Sequence, residues 1–390
     1  MRSDEATVEA AIERLLAECP PATTGFTEFL GAQFDAGLAW VHFPEGRGGL
    51  GVSAGLQALV KGRLDEAGAP DGFFHNPIGY GMGGPTVMAH GTATQQARYL
   101  RPNFTCEEIW CQLFSEPGAG SDVASLSTRA VRDGDEWVVN GQKVWTTLAH
   151  KARWGMLLAR TDPEVPKHKG LTYFVVDMHA PGVEVRPLRQ MSGEVEFNEV
   201  YFHDVRIPDA ERLGAVGDGW RVSTTTLMNE RYNMPTAPRR GEGPIAAVVD
   251  AWRQHPRAAA TRDRLLRAWV DVEVGRLTAL RAGDARSTGS PGPEGSVGKL
   301  GLANVSQSVA ALGVDVLGAY GTLYDTYEMV LDGDERPAPS IQRSFVNSPQ
   351  ASIAGGTSEI MRNILGERVL GLPPEPRLDK DLPWSQVPRS

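Results

Sequence analysis

Apolar residues recur at helical spacing through residues 1–108. They predict one helix over Asp4–Glu18 and a second helix that Ser53 would cap. Pro44–Gly51 and Gly79–Pro85 are rich in glycine and proline, so we expect turns there. The pattern therefore predicts an N-terminal helical domain.

Between residues 109 and 217 the period changes to that of β-strands. The predicted strands are Arg129–Arg132, Trp137–Val139, Trp154–Ala159, Leu171–Val176, Val183–Pro187 and Val195–Phe202. Asp133-Gly134-Asp135 and Asn140-Gly141 are strong hairpin signals. Because no helical pattern lies between these strands, we expect a small β-barrel or sandwich and not a parallel nucleotide-binding sheet.

The helical pattern returns over residues 218–390. The predicted helices are Trp220–Met234 ended by Pro235, Ile245–Arg286 interrupted at Pro256, and Val297–Tyr320. Thr357 would cap a last helix, with Glu359 in its first turn. The predicted fold class is thus a multidomain α and β protein: an N-terminal helical domain over 1–108, a central β-barrel or sandwich over 109–217, and a C-terminal helical bundle over 218–390.

Charge and cysteine usage exclude several classes of protein. Asp and Glu outnumber Lys and Arg by 48 to 39, which gives a net charge of −9, and no basic run suggests a nucleic-acid partner. The three cysteines are an odd number without a Cys-x-x-Cys pair, so we expect neither a disulfide scaffold nor a metal site. The N-terminus lacks the apolar core of a signal peptide, and Val305–Tyr320 is too short for a membrane span. We expect a cytoplasmic protein.

A glycine-rich segment, Gln112–Asp122, is the first candidate for chemistry. Gly118 and Gly120 would let the backbone approach a ligand closely, although such a loop by itself is more often a polar surface turn. No Gly-Lys-Ser/Thr follows, which excludes a nucleoside-triphosphate loop.

A second candidate is Asn140–Thr147, where Trp145 is followed by hydroxyl residues. Trp145 could stack on a flat ring, whereas the simpler alternative is a core tryptophan with exposed threonines. Taken alone, this segment favours the simpler alternative.

These two segments occur in order with Pro44–Gly51, Glu196–Phe202, Val205–Pro208 and Gly355–Ile360. In this combination the sequence resembles the acyl-CoA dehydrogenase family, flavoproteins that oxidise acyl-CoA thioesters to 2-enoyl-CoA. The resemblance extends from Pro44 to Gly371. It implies FAD as cofactor, an acyl-CoA substrate, and a role in fatty acid or steroid side-chain β-oxidation.

The resemblance also implies roles for individual residues. Residues that would contact FAD are Gln112, Phe114 and Ser115 at the pyrimidine edge, Trp145 on the isoalloxazine, Thr147 near N5, and Thr357, Ser358 and Glu359. Residues that would contact the substrate are Ser121, Arg231 and Gly355.

The catalytic base is where the sequence departs from many family members. Their glutamate directly precedes Gly-Thr-Ser, and this chain has Gly355 there. Isovaleryl-type enzymes instead carry the base in a Glu-Arg pair on the first C-terminal helix, which matches Glu230 and Arg231. The resemblance then implies that Glu230 takes the α-proton while hydride passes to flavin N5, and that Arg231 binds the CoA portion.

A second departure concerns the flavin diphosphate. The family's Arg-x-x-Phe-Gly-type segment is replaced by Arg286–Gly292, and Asp315, Gly318 and Ala319 stand where Gln and Gly-Gly are common. The chain resembles subunits of α2β2 acyl-CoA dehydrogenases that act on steroid side-chain thioesters.

The sequence leaves several assemblies and reactions open. A homotetramer and an α2β2 heterotetramer are both possible, with an electron-transfer flavoprotein as the acceptor. A catalytically silent scaffold subunit and an oxygen-using oxidase or flavin monooxygenase are the alternatives to a dehydrogenase.

Overall fold

The computed structural model describes residues 2–232, 239–254, 259–287, 293–324, 340–376 and 379–388. The chain divides into two compact units. The sheet unit comprises Met1–Leu188, Glu196–Glu230 and Leu378–Ser390, and the bundle unit comprises Arg189–Val195 and Arg231–Arg377. The domain boundaries at 108 and 217 stay a prediction.

The N-terminal part of the sheet unit is helical, as predicted. Its helices are α1 (Arg2–Glu18), α2 (Phe26–Asp35), α3 (Gln57–Glu66), α4 (Gly84–His90) and α5 (Ala93–Phe104). Ser53 accepts a hydrogen bond from Gly55 N and begins a 3-10 turn that leads into α3. Val8, Ile12 and Phe29 are fully buried in the core between these helices.

The prediction of turns at Gly79–Pro85 is wrong. Gly79–Gly83 forms a π-helical turn that continues directly into α4. The glycines serve close packing, because a Cβ on Gly79 would lie 2.1 Å from the Asn103 side chain and one on Gly84 would lie 2.7 Å from Trp40. Glycine content alone does not distinguish a turn from a tightly packed helix.

Eight strands form one sheet in the order β6-β7-β3-β2-β4-β5-β8, with β1 paired to β4. The strands are β1 (Trp110–Leu113), β2 (Arg129–Asp133), β3 (Glu136–Thr147), β4 (Trp154–Arg160), β5 (Leu171–Asp177), β6 (Val183–Pro187), β7 (Phe197–Pro208) and β8 (Arg212–Leu213). Most pairs are antiparallel, whereas β1 and β2 each run parallel to β4. The Asp133-Gly134-Asp135 hairpin is confirmed between β2 and β3.

The second predicted hairpin, Asn140-Gly141, is wrong. Both residues lie inside β3, where the register with β7 shifts between Val139 and Gly141. The Asn140 side chain donates to Asp204 on β7 at 2.8 Å, so it joins two strands and closes no turn. A Cβ on Gly141 would meet Thr128 at 2.4 Å, which explains glycine at this bulge.

The remaining helices follow the sheet. They are α6 (Gly219–Tyr232), α7 (Pro244–Gln254), α8 (Ala259–Ser287), α9 (Glu294–Leu317), α10 (Ile341–Asn347) and α11 (Ser358–Ile364). Val248, Leu265, Val309 and Leu312 are buried in the core of the bundle unit. Thr357 is confirmed as the N-cap of α11, while the predicted breaks at Pro235 and Pro256 lie outside the described residues.

One helical stretch among the described residues, Gly295–Thr322, is long and apolar enough to cross a membrane. The length argument made for Val305–Tyr320 is therefore wrong, because the helix begins eleven residues earlier, at Glu294. Length and composition are weak evidence for a membrane span, since the core helices of soluble proteins can be equally long and apolar. Val309, Leu312 and Val316 pack within the bundle core, which favours a core helix.

Candidate active site

Strand β1 and the residues after it bring part of the predicted flavin site together. Gln112 lies on β1 opposite Met156 of β4. The Phe114 ring is buried and packs edge-on against Tyr173, with 5.8 Å between ring centroids. The Ser115 carbonyl accepts a hydrogen bond of 3.0 Å from Val144 N on β3. Ser115 is thus held beside the part of β3 that leads into Trp145.

A buried ion pair holds the beginning of the glycine-rich loop, defined here as residues 116–122. The local sequence pattern does not indicate this pair. Lys143 is fully buried, and its Nζ donates to Glu116 Oε1 at 2.8 Å and to the Phe114 carbonyl at 3.0 Å. Glu116 also accepts hydrogen bonds from the backbone of Ser127 at 2.6 Å and Thr128 at 2.9 Å. One lysine therefore fixes β1, the loop and β3 relative to one another.

The environment of this pair keeps the Glu116 carboxylate charged. Burial opposes ionisation, but the charge and hydrogen bond of Lys143 and the donors at Thr128 and Ser127 outweigh it and lower the pKa of Glu116. Burial also lowers the pKa of Lys143, against the raising effect of Glu116. The carboxylate accepts three hydrogen bonds, which is the condition under which a buried charge is tolerated.

Trp145 is exposed, so the alternative of a core tryptophan is wrong. Its side chain is 62% exposed, whereas Thr146 is buried. The backbone of Trp145 is left-handed, with φ of +61°, where the register with β7 shifts between Lys143 and Thr146. The indole meets Phe197 of β7 edge-on at 6.1 Å. The bulge therefore turns a large flat ring towards the outside of the sheet, and Thr147 returns to register opposite Phe197.

Several features of this region fit a flat, polar-edged cofactor such as FAD. The Gln112 side-chain Nε2 is buried and has no hydrogen-bond partner among the described residues. A Cβ on Gly118 or Gly120 would meet no protein atom within 4 Å. A donor without a partner among the described residues, an exposed indole and a loop with open space beside its two glycines are suited to such a cofactor.

The far end of the loop carries Ser121 and Asp122, both exposed. Asp122 Oδ2 accepts from Lys167 Nζ at 2.7 Å and from the Ser125 hydroxyl at 2.5 Å. Ser121, predicted to touch CoA, thus precedes a residue that is fixed by side-chain hydrogen bonds.

Helix α6, which carries Glu230, is held by buried hydroxyl groups. The Thr226 hydroxyl lies 2.9 Å from that of Thr86 on α4 and 3.1 Å from that of Tyr173 on β5. His90 Nε2 lies 2.8 Å from the Thr225 hydroxyl. Position 230 comes one helical turn after Thr226. The side chains of Glu230 and Arg231 lie outside the described residues.

In the bundle unit, Gly355 and Gly356 have φ of +67° and +98°. Gly355 therefore combines a left-handed backbone with the lack of any side chain that could act as a base. Thr357 Oγ1 accepts from Ile360 N at 3.3 Å, Ser358 is buried, and Glu359 is exposed beside Arg362. Thr357, Ser358 and Glu359 belong to the bundle unit and Trp145 to the sheet unit, so their meeting in one site stays a prediction.

The cysteines near β1 show no sign of activation. Burial raises the pKa of Cys106 to about 11 and also raises that of Cys111. Both thiols are therefore protonated at neutral pH. Within the described ranges, no group of three His, Cys, Asp or Glu side chains could hold a metal ion.

Family models describe nearly the whole chain. The N-terminal domain of acyl-CoA dehydrogenase matches residues 5–107, the middle domain matches 111–205, and the C-terminal domain matches 217–370. The three matches follow the helix, sheet, helix order of the fold.

Two curated relatives come from Mycobacterium tuberculosis. Acyl-CoA dehydrogenase IpdE1 is 40% identical over 344 residues, which cover 87% of this chain and 86% of the relative. Acyl-CoA dehydrogenase FadE34 is 42% identical over 342 residues and 87% of this chain, but the match covers only 45% of FadE34.

Two solved structures share the fold over almost all of the chain. The Tcur3481-Tcur3483 steroid acyl-CoA dehydrogenase aligns with a TM-score of 0.74 at 26% identity, covering 96% of this chain and 99% of that one. The ChsE4-ChsE5 complex from Mycobacterium tuberculosis aligns with a TM-score of 0.71 at 28% identity, covering 96% and 98%. These relatives support acyl-CoA dehydrogenation as the general reaction. The chain belongs to the acyl-CoA dehydrogenase family of flavoprotein oxidoreductases.

Proposed function

We propose that this chain is an FAD-dependent dehydrogenase that removes hydrogen from Cα and Cβ of an acyl-CoA thioester, with Glu230 as the base. The observation that carries the proposal is the region around Trp145. This region combines the exposed indole, the buried Gln112 Nε2, which has no hydrogen-bond partner within the described part of the chain, and the open glycine-rich loop. Lys143 and Val144 on β3 hold residues 114–116 in place by hydrogen bonds.

The residues that would hold FAD each contribute a distinct interaction. The Trp145 ring offers a stacking surface, and Gln112 and Ser115 offer polar groups for the edge of a heterocycle. Thr357, Ser358 and Glu359 are proposed as further contacts from the bundle unit. When bound, FAD supplies the oxidant, which accepts the two electrons released with the Cβ hydrogen.

The chain itself must supply the group that takes the α-proton. Gly355 cannot do so, which leaves Glu230 on α6 as the proposed base and Arg231 as the proposed contact to CoA. The hydroxyl contacts of Thr226 hold α6 against α4 and β5 one turn before position 230. A carboxylate in that position acts as a base near neutral pH if burial beside its ligands raises its pKa.

A bulky acyl group is consistent with the solved structures that share this fold. One solved structure that shares the fold is named as a steroid acyl-CoA dehydrogenase, so we propose a steroid side-chain or similarly bulky thioester as substrate. An electron-transfer flavoprotein is the proposed acceptor.

A partner chain is part of the proposal. The described part of α8 carries an apolar stripe on one face, with side chains 46–57% exposed. Its residues are Leu266, Val270, Val274, Leu277 and Leu280. An exposed apolar stripe of this length on a helix is typical of a subunit interface. We propose that a second acyl-CoA dehydrogenase-like chain covers it, either another copy or, as in the ChsE4-ChsE5 complex, a different one.

The first test is the visible absorbance spectrum of the chain purified alone. About one FAD per chain supports a self-sufficient enzyme. A colourless protein that acquires FAD only when it is co-expressed with a neighbouring acyl-CoA dehydrogenase supports a mixed assembly. Absence of flavin in both preparations contradicts the proposal.

The base is tested by substituting Glu230→Gln, which keeps the size of the side chain and removes its basicity. We expect FAD content and CoA binding to persist and substrate-dependent bleaching of the flavin to be lost. Glu66→Gln, an exposed carboxylate on α3, is the matched control and should react like the wild type. Bleaching of Glu230→Gln at the normal rate would show that another group takes the proton, or that a partner subunit carries the base.

A further inference from the structure

The glycine-rich loop is held at both ends by side chains outside it. Lys143 fixes its beginning through Glu116, and Lys167 fixes its end through Asp122. Between these points Glu116 and Ala119 exchange two backbone hydrogen bonds of 3.0 Å, whereas Gly118 and Gly120 have no side chains that could anchor the rest of the loop. The position of Ser121 therefore depends on what holds Asp122 and the turn after it.

The support at the far end includes residues more than two hundred positions later in the chain. Lys167 Nζ donates to Asp379 Oδ2 at 2.6 Å as well as to Asp122, so both carboxylates share one ammonium group. Lys167 is mostly buried, and its hydrogen bond lowers the pKa of Asp379, which is therefore ionised at neutral pH. The C-terminal segment, defined here as residues 379–388, thus meets the loop through a common cation.

Trp384 makes a second connection between the C-terminal segment and the loop. Its Nε1 donates to the Ser125 carbonyl at 3.2 Å, in the 3-10 turn that follows Asp122. Its ring lies under the Arg160 guanidinium, 4.3 Å from Arg160 Cζ to the ring centroid. Arg160 is buried and donates to the carbonyls of Ala124 at 2.6 Å and Leu126 at 3.2 Å. Trp384 and Arg160 therefore enclose the turn at the end of the loop.

The backbone of the C-terminal segment is fixed in the same place. Trp384 N donates to the Val165 carbonyl and Ser385 N to the Pro163 carbonyl, both at 2.9 Å. Pro383 forms a bridge with Pro166. The segment is paired with residues 163–166, which lie next to Lys167.

We propose that the C-terminal segment is a positioning element of the active site: through Trp384 and Asp379 it sets the position of Ser121 and Asp122, and so the affinity of the glycine-rich loop for the CoA thioester. This inference rests on the proposed function, since that function gives the loop its ligand. Trp384 acts through Arg160 and Ser125 and is a positioning residue.

The test compares Trp384→Ala with Ser385→Ala in the flavin-loaded protein, using free coenzyme A as the probe in titration calorimetry. Ser385 is exposed, and its hydroxyl contacts Glu164 and not the loop. We expect Trp384→Ala to raise the Kd for coenzyme A about fivefold, because loss of the cation–π contact and the hydrogen bond would lower the fraction of molecules with the loop in its binding conformation to about one fifth. Ser385→Ala should bind as the wild type does.

Hydrogen exchange and a conservative variant distinguish positioning from general stability. Trp384→Ala should speed exchange at residues 118–126 while exchange in α1–α3 is unchanged. Trp384→Phe keeps a ring under Arg160 and should restore most of the affinity. Equal Kd values and equal exchange for Trp384→Ala and the wild type would overturn this inference alone. Failure of the flavin-loaded wild type to bind coenzyme A would overturn the proposed function and this inference with it.

Discussion

At the scale of the residue, the buried Lys143–Glu116 pair connects three parts of the candidate site. A fully buried ammonium group is expensive to desolvate, and this one is compensated by a carboxylate at 2.8 Å and a carbonyl at 3.0 Å. Lys143 has no proposed contact to FAD or substrate. Because the Lys143–Glu116 pair joins β1, the loop and β3, it nevertheless sets the positions of residues that do have such a contact.

We expect Lys143→Met to lower the free energy of unfolding by about 3 kcal/mol, because it leaves the Glu116 charge buried without its cation. The double variant Lys143→Met with Glu116→Gln should recover part of this loss. Urea unfolding measures both, and Lys169→Met, at an exposed lysine, should stay within about 0.5 kcal/mol of the wild type. A double variant no more stable than Lys143→Met would contradict the explanation.

The same pair has a defined dependence on pH. Since the pKa of Glu116 is held below its ordinary value of 4.5, its stabilising contribution is present above that pH. The contribution is lost as the pH falls through the lowered pKa. The difference in stability between the wild type and Glu116→Gln should therefore shrink in acid.

The pair also shows what local patterns can predict. The glycine-rich loop and Trp145 were identified because their composition is local in the sequence. Lys143 and Glu116 are 27 residues apart. Nothing in the period of either segment indicates that a charged residue faces inward, so this pairing could not be predicted from the sequence.

At the scale of the element, the hydrophobic period predicts most helix and strand positions. The wrong predictions concern glycines, because glycine occurs both in turns and where a neighbouring side chain packs closely against the backbone. The spacing of apolar residues predicts α1 and the β2–β3 hairpin correctly, because each element buries the apolar side chains of one face. Gly79–Pro85 and Asn140-Gly141 were misassigned, because glycine there admits a neighbouring side chain and makes no turn. Sequence composition shows where the chain lacks a side chain, but not what fills that space.

Helix α6 depends on polar contacts made by a buried face. Thr226→Val leaves the buried hydroxyls of Thr86 and Tyr173 without this partner, so we expect a loss of about 1–3 kcal/mol in the free energy of unfolding. Under the proposed function, substrate-dependent flavin bleaching should slow more than coenzyme A binding weakens, because the proposed base lies on α6 alone, whereas coenzyme A also has the proposed contact with Ser121 in the loop. Stopped-flow absorbance and calorimetry measure the two effects.

Thr226→Ser is the matched control, since it keeps the hydroxyl and removes only a methyl group. It should bleach the flavin nearly as fast as the wild type. Identical bleaching rates for the Val and Ser variants would show that the hydroxyl contacts do not position the helix.

At the scale of the whole molecule, the fold class and the family were accessible from the sequence, and the long-range connections were not. The order of helix, strand and helix patterns predicted the architecture that the family models match. The hydrogen bond between Trp384 and Val165 joins segments more than two hundred residues apart. Neither segment has the apolar periodicity of a helix or a strand.

The apolar stripe of α8 leads to a prediction about assembly. Val274→Asp places a charge in the middle of the stripe and should dissociate the proposed assembly, because burial of an unpaired carboxylate at an interface is strongly unfavourable. Asp271→Arg changes an exposed charge beside the stripe and should leave the assembly intact. Light scattering after size-exclusion chromatography measures the mass. An unchanged mass for Val274→Asp would exclude the stripe as the interface.

The left-handed backbone at Gly355 and Gly356 restricts which residues these positions can accept. A glutamate at position 355 would adopt a conformation that costs about 1–2 kcal/mol for any residue with a Cβ. A single substitution of Gly355 by glutamate would therefore lose stability. Under the proposed function, a carboxylate on α6 supplies the base without this cost.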